Sequence, residues 1–297
     1  MFFNILVISV FIRLIYNNVM TKRKRKLNKK NLAIVIFTTV MFTIAILVII
    51  NALLDIFIRH NYNYENKDNL LNLPKTVIRN EYINGDNFKY YEDDKYTSRL
   101  GIDVSAHQKD IDFNKVKNDG ISFVFIRLGY RGYSEGHLNL DETFLDNYHK
   151  AKEAGLDVGV YFFSHAIDEK EAIDEAYFVR DNIKGLELDL PIVYDLEDID
   201  YDTSRLVDVS GEQRTKNAMA FAAKIEEFGY KPMIYTNLDW TINHYDLEQI
   251  MNYDIWYAQY SDYPDFKYYY EIWQYTDSGR VNGIDVPVDI NMMLVEK

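Results

Sequence analysis

The sequence predicts an α/β protein, an irregular TIM-like (β/α) barrel of eight strands preceded by one transmembrane helix. Three observations predict it. Eight short apolar runs recur after residue 99, the earlier ones separated by helical segments with polar starts and glycine ends. A single uncharged run of 23 residues, Leu32 to Leu54, stands near the N-terminus. Acidic side chains interrupt otherwise apolar strands at or near their ends, where barrel active sites lie.

The 297 residues suit one or two domains, and a hydrophobic content of 48% with 15% aromatic excludes disorder throughout. There is no cysteine, which excludes disulfides and cysteine-ligated metals. The net charge of -13 is uneven, with residues 1–60 at +8 and the remainder at -21. So acidic a main part argues against nucleic acid as a partner, because phosphate binding draws on clustered Lys and Arg.

Residues 1–31 hold an apolar stretch and then the basic cluster KRKRKLNKK, Lys22 to Lys30. Met1 to Ile12 is too short for a span, and Met20 followed by TKRKRK resembles a natural start. At about 1.5 Å per residue, Leu32 to Leu54 makes roughly 35 Å of helix, enough for a hydrocarbon core of about 30 Å. The basic flank predicts a cytoplasmic N-terminus, with everything after the span outside the cell. Residues 55–97 are polar, rich in Asn, Tyr and Asp, and read as a stalk reaching about 35 to 40 Å if flexible. Tyr82-Ile83-Asn84-Gly85 is a candidate hairpin turn within it, through which part of the segment could pack on the domain that follows.

Residues 98–297 form the predicted barrel domain. The strand runs are 100–105, 122–128, 157–163, 191–197, 231–237, 254–260, 271–276 and 288–293. Helices are predicted over Asp112 to Asn118, Asp141 to Ala154, Asp168 to Lys184 and Gly211 to Phe228; a glycine follows each of the last three. The connections 261–270 and 277–287 are too short for crossover helices, so the last third should be helix-poor and able to include an antiparallel strand.

LPIVYDLED, Leu190 to Asp198, is the most informative stretch. Alternation along a strand puts Asp195 and Glu197 on one side, roughly 7 Å apart along the pleat. Asp103 in the first run and Asp289 in the last belong to neighbouring strands of a closed barrel, so the four acids can share one mouth. Glycoside cleavage needs a protonated acid for the leaving oxygen and an anion for the cationic sugar. Crowding raises one carboxyl pKa, which predicts Glu197 as general acid and an ionised Asp195. Tyr161, Tyr235, Trp256, Tyr257, Trp273 and Tyr275 lie on the strands, either as core or as stacking faces for sugars. Of these Tyr161, Tyr235 and Trp273, with the adjacent Gln274, are the substrate-binding candidates.

The ordered series GIDVSAHQKDIDFNKVK (101–117), FVFIRLGYRGY (123–133), DETFLDNYHKAKEAGLDVGVYFFSHA (141–166), PIVYDLE, IYTN, WYAQY, WQYT and VDIN resembles glycoside hydrolase family 25, the lysozyme-type muramidases. The resemblance spans residues 99–295. It implies a barrel of eight strands and about five helices, and cleavage of the β-1,4 bond between N-acetylmuramic acid and N-acetylglucosamine in peptidoglycan without a cofactor or metal. It places the acid on Glu197, its partner on Asp195, and further active-site acids on Asp103 and Asp289. Asp195 would act on the substrate's own acetamido group; a directly attacking carboxylate is the competing mechanism, and the residues favour neither. Lys109 and Asp110 stand where a Gly commonly follows the Gln in the family, and Phe113 where Trp is common after Ile-Asp.

Two other classes remain open on sequence. A metal-dependent wall hydrolase or deacetylase could use the four acids with His165, although His107, His137, His149, His165 and His244 lack ligand spacing. A membrane-tethered wall-binding module with a lysozyme-like fold and no turnover is the other. The partners expected are a peptidoglycan strand and the cell membrane, through one helix.

Overall fold

The computed structural model describes residues 38–43, 46, 73–197 and 204–297. The expected span over 32–54 and the basic cluster lie largely or wholly outside them. Residues 38–43 and 46 are helical, and among the described residues no helix is long and apolar enough to cross a membrane. The described residues from 73 onward belong to a second compact unit.

Its strands are β1 (Ile83–Asn84), β2 (Tyr90–Tyr91), β3 (Tyr96–Val104), β4 (Phe123–Arg131), β5 (Leu138–Leu140), β6 (Asp157–Phe163), β7 (Ile192–Asp195), β8 (Pro232–Asn237), β9 (Asp254–Ala258), β10 (Ile272–Gly279) and β11 (Val288–Glu296). Eight close into a barrel in the order β3-β11-β10-β9-β8-β7-β6-β4, with β4 returning to β3; β5 is a hairpin arm on β4. Five α-helices are described in this unit: α1 (Phe113–Asn118), α2 (Phe144–Glu153), α3 (Glu169–Asn182), α4 (Gly211–Glu227) and α5 (Leu247–Ile250). The side chains of Asp112, Asp168 and Ser210 cap α1, α3 and α4, as polar starts should.

Parallel pairing runs from β3 through β10, and β11 is antiparallel to both of its neighbours. The short connection from β10 is thereby explained, since an antiparallel return needs no crossover helix. The β9–β10 link is parallel yet carries no helix. An aromatic loop covers the wall instead: Phe266 stacks on Tyr257 at 4.7 Å, and Tyr270 lies 5.4 Å from Tyr257.

Inside the barrel, Phe123, Phe125, Val193, Met233, Trp256 and Ile272 belong to one buried cluster. Large rings fit because their neighbours are small. A Cβ on Gly101 would stand 2.1 Å from the Phe123 ring, and one on Gly159 2.4 Å from Phe125.

The stalk expected over 55–97 differs in its second half. From residue 73 the chain packs on the barrel: Thr76 N–H donates to Lys267 O, Tyr269 N–H to Pro74 O, and Tyr91 is buried. Polarity misled here because much of the binding is through backbone groups and tyrosines, which read as hydrophilic. The first part of the expected stalk, 55–72, lies outside the described residues.

Candidate active site

Strand alternation decides which side chains enter the mouth. On β7, Ile192 and Tyr194 face the helices, Tyr194 lying 5.1 Å from Phe221 of α4, while Val193 belongs to the interior cluster. Asp195 follows Val193 at the same phase, and Glu197 follows Asp195. Asp103 and Asp289 are register partners across β3 and β11. All four acids line one cleft of about 380 Å³ with Ser105, His107, Gln108, Arg127, Tyr161, Phe163, Tyr235, Trp256, Tyr260 and Gln274.

Hydrogen bonds distinguish the acids. Asp103 Oδ2 accepts Gln274 Nε2 at 2.9 Å and Asn291 Nδ2 at 2.7 Å. Asn291 Oδ1 accepts Trp256 Nε1 at 2.8 Å, and Gln274 Oε1 accepts the hydroxyls of Tyr235 at 2.9 Å and Tyr260 at 3.1 Å. Both amides are therefore locked with their NH₂ groups towards Asp103. Asp195 Oδ1 is buried and has no protein donor among the described residues.

Burial pushes Asp103 up to about 6, with the two amides holding it back. Burial, then the Asp103 charge, pushes Glu197 up to about 7, and the Tyr235 hydroxyl offsets part of this. Burial, then Asp103 and Asp277, takes Asp289 to about 8. Asp195 is raised well above the usual carboxylate range by burial, then by Glu197 and Asp103, against the pull of Arg127. The direction for Asp195 runs against the ionised form expected from the sequence, and of the four acids Asp103 is the one best supported by side-chain donors. Arg127 gives little relief because Asp141 already engages it, through Nε at 2.9 Å and a terminal nitrogen at 2.8 Å.

Of the substrate-binding candidates, Tyr161, Tyr235 and Gln274 reach the cleft and Trp273 does not. Trp273 and Gln274 are consecutive on a strand, so only one can face inward. The Trp273 ring is fully buried on the outer side, its Nε1 donating to Gln259 O at 2.9 Å. Trp256 holds the inward position, 4.8 Å from Phe125 and 5.2 Å from Tyr235. Asn291 was findable from sequence as the residue two beyond Asp289 on the same face. Tyr260 and Arg127 gave no such signal. His165 is fully buried beside Phe163 and does not line the cleft. Among the described residues no group of three or more His, Asp or Glu side chains is placed to hold a metal.

The family model for glycosyl hydrolases family 25 matches residues 102–284. The chain belongs to this family. It is 31% identical over 192 residues to the autolytic lysozyme of Clostridium acetobutylicum, covering 64% of this chain and 54% of that protein. It thus spans about half the length of that relative. Lysozyme M1 of Streptomyces globisporus is 28% identical over 204 residues, covering 64% and 66%. Among solved structures, the bacterial lysozyme of Streptomyces coelicolor superposes with a TM-score of 0.52 at 26% identity, covering 65% of this chain and 90% of the other. The modular autolysin LytC of Streptococcus pneumoniae shares the fold with a TM-score of 0.60 at 24% identity, covering 75% and 52%.

Proposed function

We propose that this family 25 chain is a muramidase, cleaving the β-1,4 bond between N-acetylmuramic acid and N-acetylglucosamine in peptidoglycan. The observation that carries this is the meeting of Asp103, Asp195, Glu197 and Asp289 in one aromatic-lined cleft. Glu197, at about 7, is protonated over much of the neutral range and donates to the leaving oxygen. Asp103 is the anion that favours positive charge developing on the sugar ring. Asp195, with no protein donor on Oδ1 among the described residues, suits a donor brought by the substrate. The N–H of a 2-acetamido group is such a donor, and this favours attack by the substrate's own acetamido oxygen over attack by Asp195.

Mass spectrometry of peptidoglycan digested by the full chain tests the reading. N-acetylmuramic acid at the new reducing end supports it, and N-acetylglucosamine there sinks it. Glu197→Gln should abolish release while glycan binding persists; full activity in that variant would remove Glu197 from the role of acid.

We also propose that Leu32 to Leu54 anchors the enzyme at the outer face of the cell membrane, with the basic cluster cytoplasmic. The support is the uncharged length and its flank. Alkaline extraction should leave the chain in the membrane fraction, and release into the wash would refute the anchor.

A further inference from the structure

Behind the wall that carries Asp195 lies a buried polar network that does not line the cleft. Glu175 on α3 is fully enclosed; one of its oxygens accepts Arg131 Nε at 2.7 Å and the other accepts Ser164 Oγ at 2.7 Å. Arg131 is fixed further by the carbonyls of Gly136 at 2.7 Å and Glu171 at 2.9 Å. Ser164 Oγ lies 3.0 Å from the Tyr194 hydroxyl and accepts Ala166 N–H at 3.2 Å. A carboxylate only accepts, so Ser164 spends its one proton on Glu175 and Tyr194 donates to Ser164.

The network reaches the cleft through the main chain. Ser164 N–H donates to the carbonyl of Asp195 at 2.7 Å, while Ser164 Oγ meets the side chain of the residue before it. Both ends of the 194–195 step are therefore held by one serine, which Glu175 and Arg131 hold in turn. Asp103 is aimed by two amides on its own carboxylate. Among the described residues Asp195 has no donor on Oδ1, so much of its aim comes from where its backbone is set.

We infer that Glu175, Ser164 and Tyr194, braced by Arg131, are positioning residues that set the height and tilt of Asp195 from behind the barrel wall. This rests on the proposed muramidase activity. None of the three lines the cleft, so substrate binding should be little affected and the chemical step should suffer, since small misplacements of a catalytic group are costly.

The test is steady-state kinetics of the full chain on solubilised glycan strands, comparing wild type with Ser164→Ala, Tyr194→Phe and Glu175→Gln. Circular dichroism establishes the folded fraction of each. Ser164→Ala and Tyr194→Phe carry the decision, because Glu175→Gln also leaves Arg131 imperfectly paired. The expected result is a kcat lowered roughly tenfold per folded molecule with KM within about twofold of wild type. Folded variants with wild-type kcat, or with raised KM alone, would overturn the positioning role while leaving the muramidase reading intact. A wild-type chain that cuts no glycan would overturn that reading and this inference together.

Discussion

Asp103 and Asp289 stand directly opposite one another in the antiparallel pair that closes the barrel. Two carboxylates at one cross-strand position are unfavourable unless they differ in charge. Their surroundings make them differ: Asp103 receives two amide N–H groups, and Asp289 is raised by burial and by Asp103 itself. The closing strand β11 supplies both the second acid and, through Asn291, a donor to the first.

The same charge acts on Glu197. Asp103 is the largest charge effect raising it after burial, so Asp103→Asn should lower its pKa from about 7. With Glu197 as the proposed general acid, the alkaline limb of the kcat/KM profile should move to lower pH, by on the order of half a unit to one unit. The limb is read relative to each protein's own maximum. A limb that stays in place would show that Asp103 does not set the acid.

Stability should fall as pH rises through neutrality. Asp103 at about 6, Glu197 at about 7, and Asp289 at about 8 all lie above the roughly 4 expected in the unfolded chain. Between about pH 4 and 8 the folded protein therefore holds protons that the unfolded chain has released, and the slope of stability with pH is negative. Asp141 and Asp189 are depressed by their partners and act oppositely, losing their contribution as pH drops below about 4. Thermal melts should peak near pH 5 and decline by roughly 5 °C or more towards pH 8. Asp289→Asn should flatten the upper part of that decline, and a Tm that rises from pH 5 to 8 would contradict the assignment.

Trp273 and Tyr260 should separate stability from binding. Trp273 is fully buried, with Tyr275 5.5 Å away and its Nε1 donating to Gln259 O, so Trp273→Ala should cost about 3–5 kcal/mol in denaturant unfolding. The KM of the fraction still folded should hardly change. Tyr260 is 53% exposed at the cleft and its hydroxyl is tied to Gln274, leaving ring surface for a sugar. A face contact worth about 1 kcal/mol makes Tyr260→Ala raise KM roughly fivefold with little loss of stability. Tyr260→Phe should keep most of the binding. A Trp273 variant that is stable but binds poorly would reverse the two roles.

These contrasts show what a period of two can and cannot deliver. It placed Asp195 with Glu197, and the apolar runs lie close to the eight strands because burial on both sides leaves long hydrophobic stretches. Choosing between Trp273 and Gln274 needed the phase of β10 relative to its neighbours, which register fixes and composition does not. Tyr260 and Arg127 become visible only through exposure at a loop and a salt bridge to Asp141. A hairpin near residues 82–85 was legible, but the full extent of the packed segment from residue 73 was not, as backbone hydrogen bonds leave no trace in side-chain polarity.

Lys109 offers a test confined to the backbone. It follows the short turn Ala106–Gln108 with φ 60° and ψ -130°, and among the described residues it is the one non-glycine with positive φ. A Cβ is disfavoured there, at a cost of about 1–3 kcal/mol. Among the described residues the exposed lysine side chain has no ion pair or hydrogen bond that would offset it. Replacing Lys109 with glycine removes the strain but loosens the unfolded chain, by about 0.4–1 kcal/mol. The first effect is the larger, so Lys109→Gly should raise stability by on the order of 1 kcal/mol in urea unfolding, with the slope unchanged. Lys109→Ala keeps the Cβ and should give no such gain. Equal midpoints for the glycine and alanine variants would mean that this turn relaxes in solution to a geometry any residue can adopt.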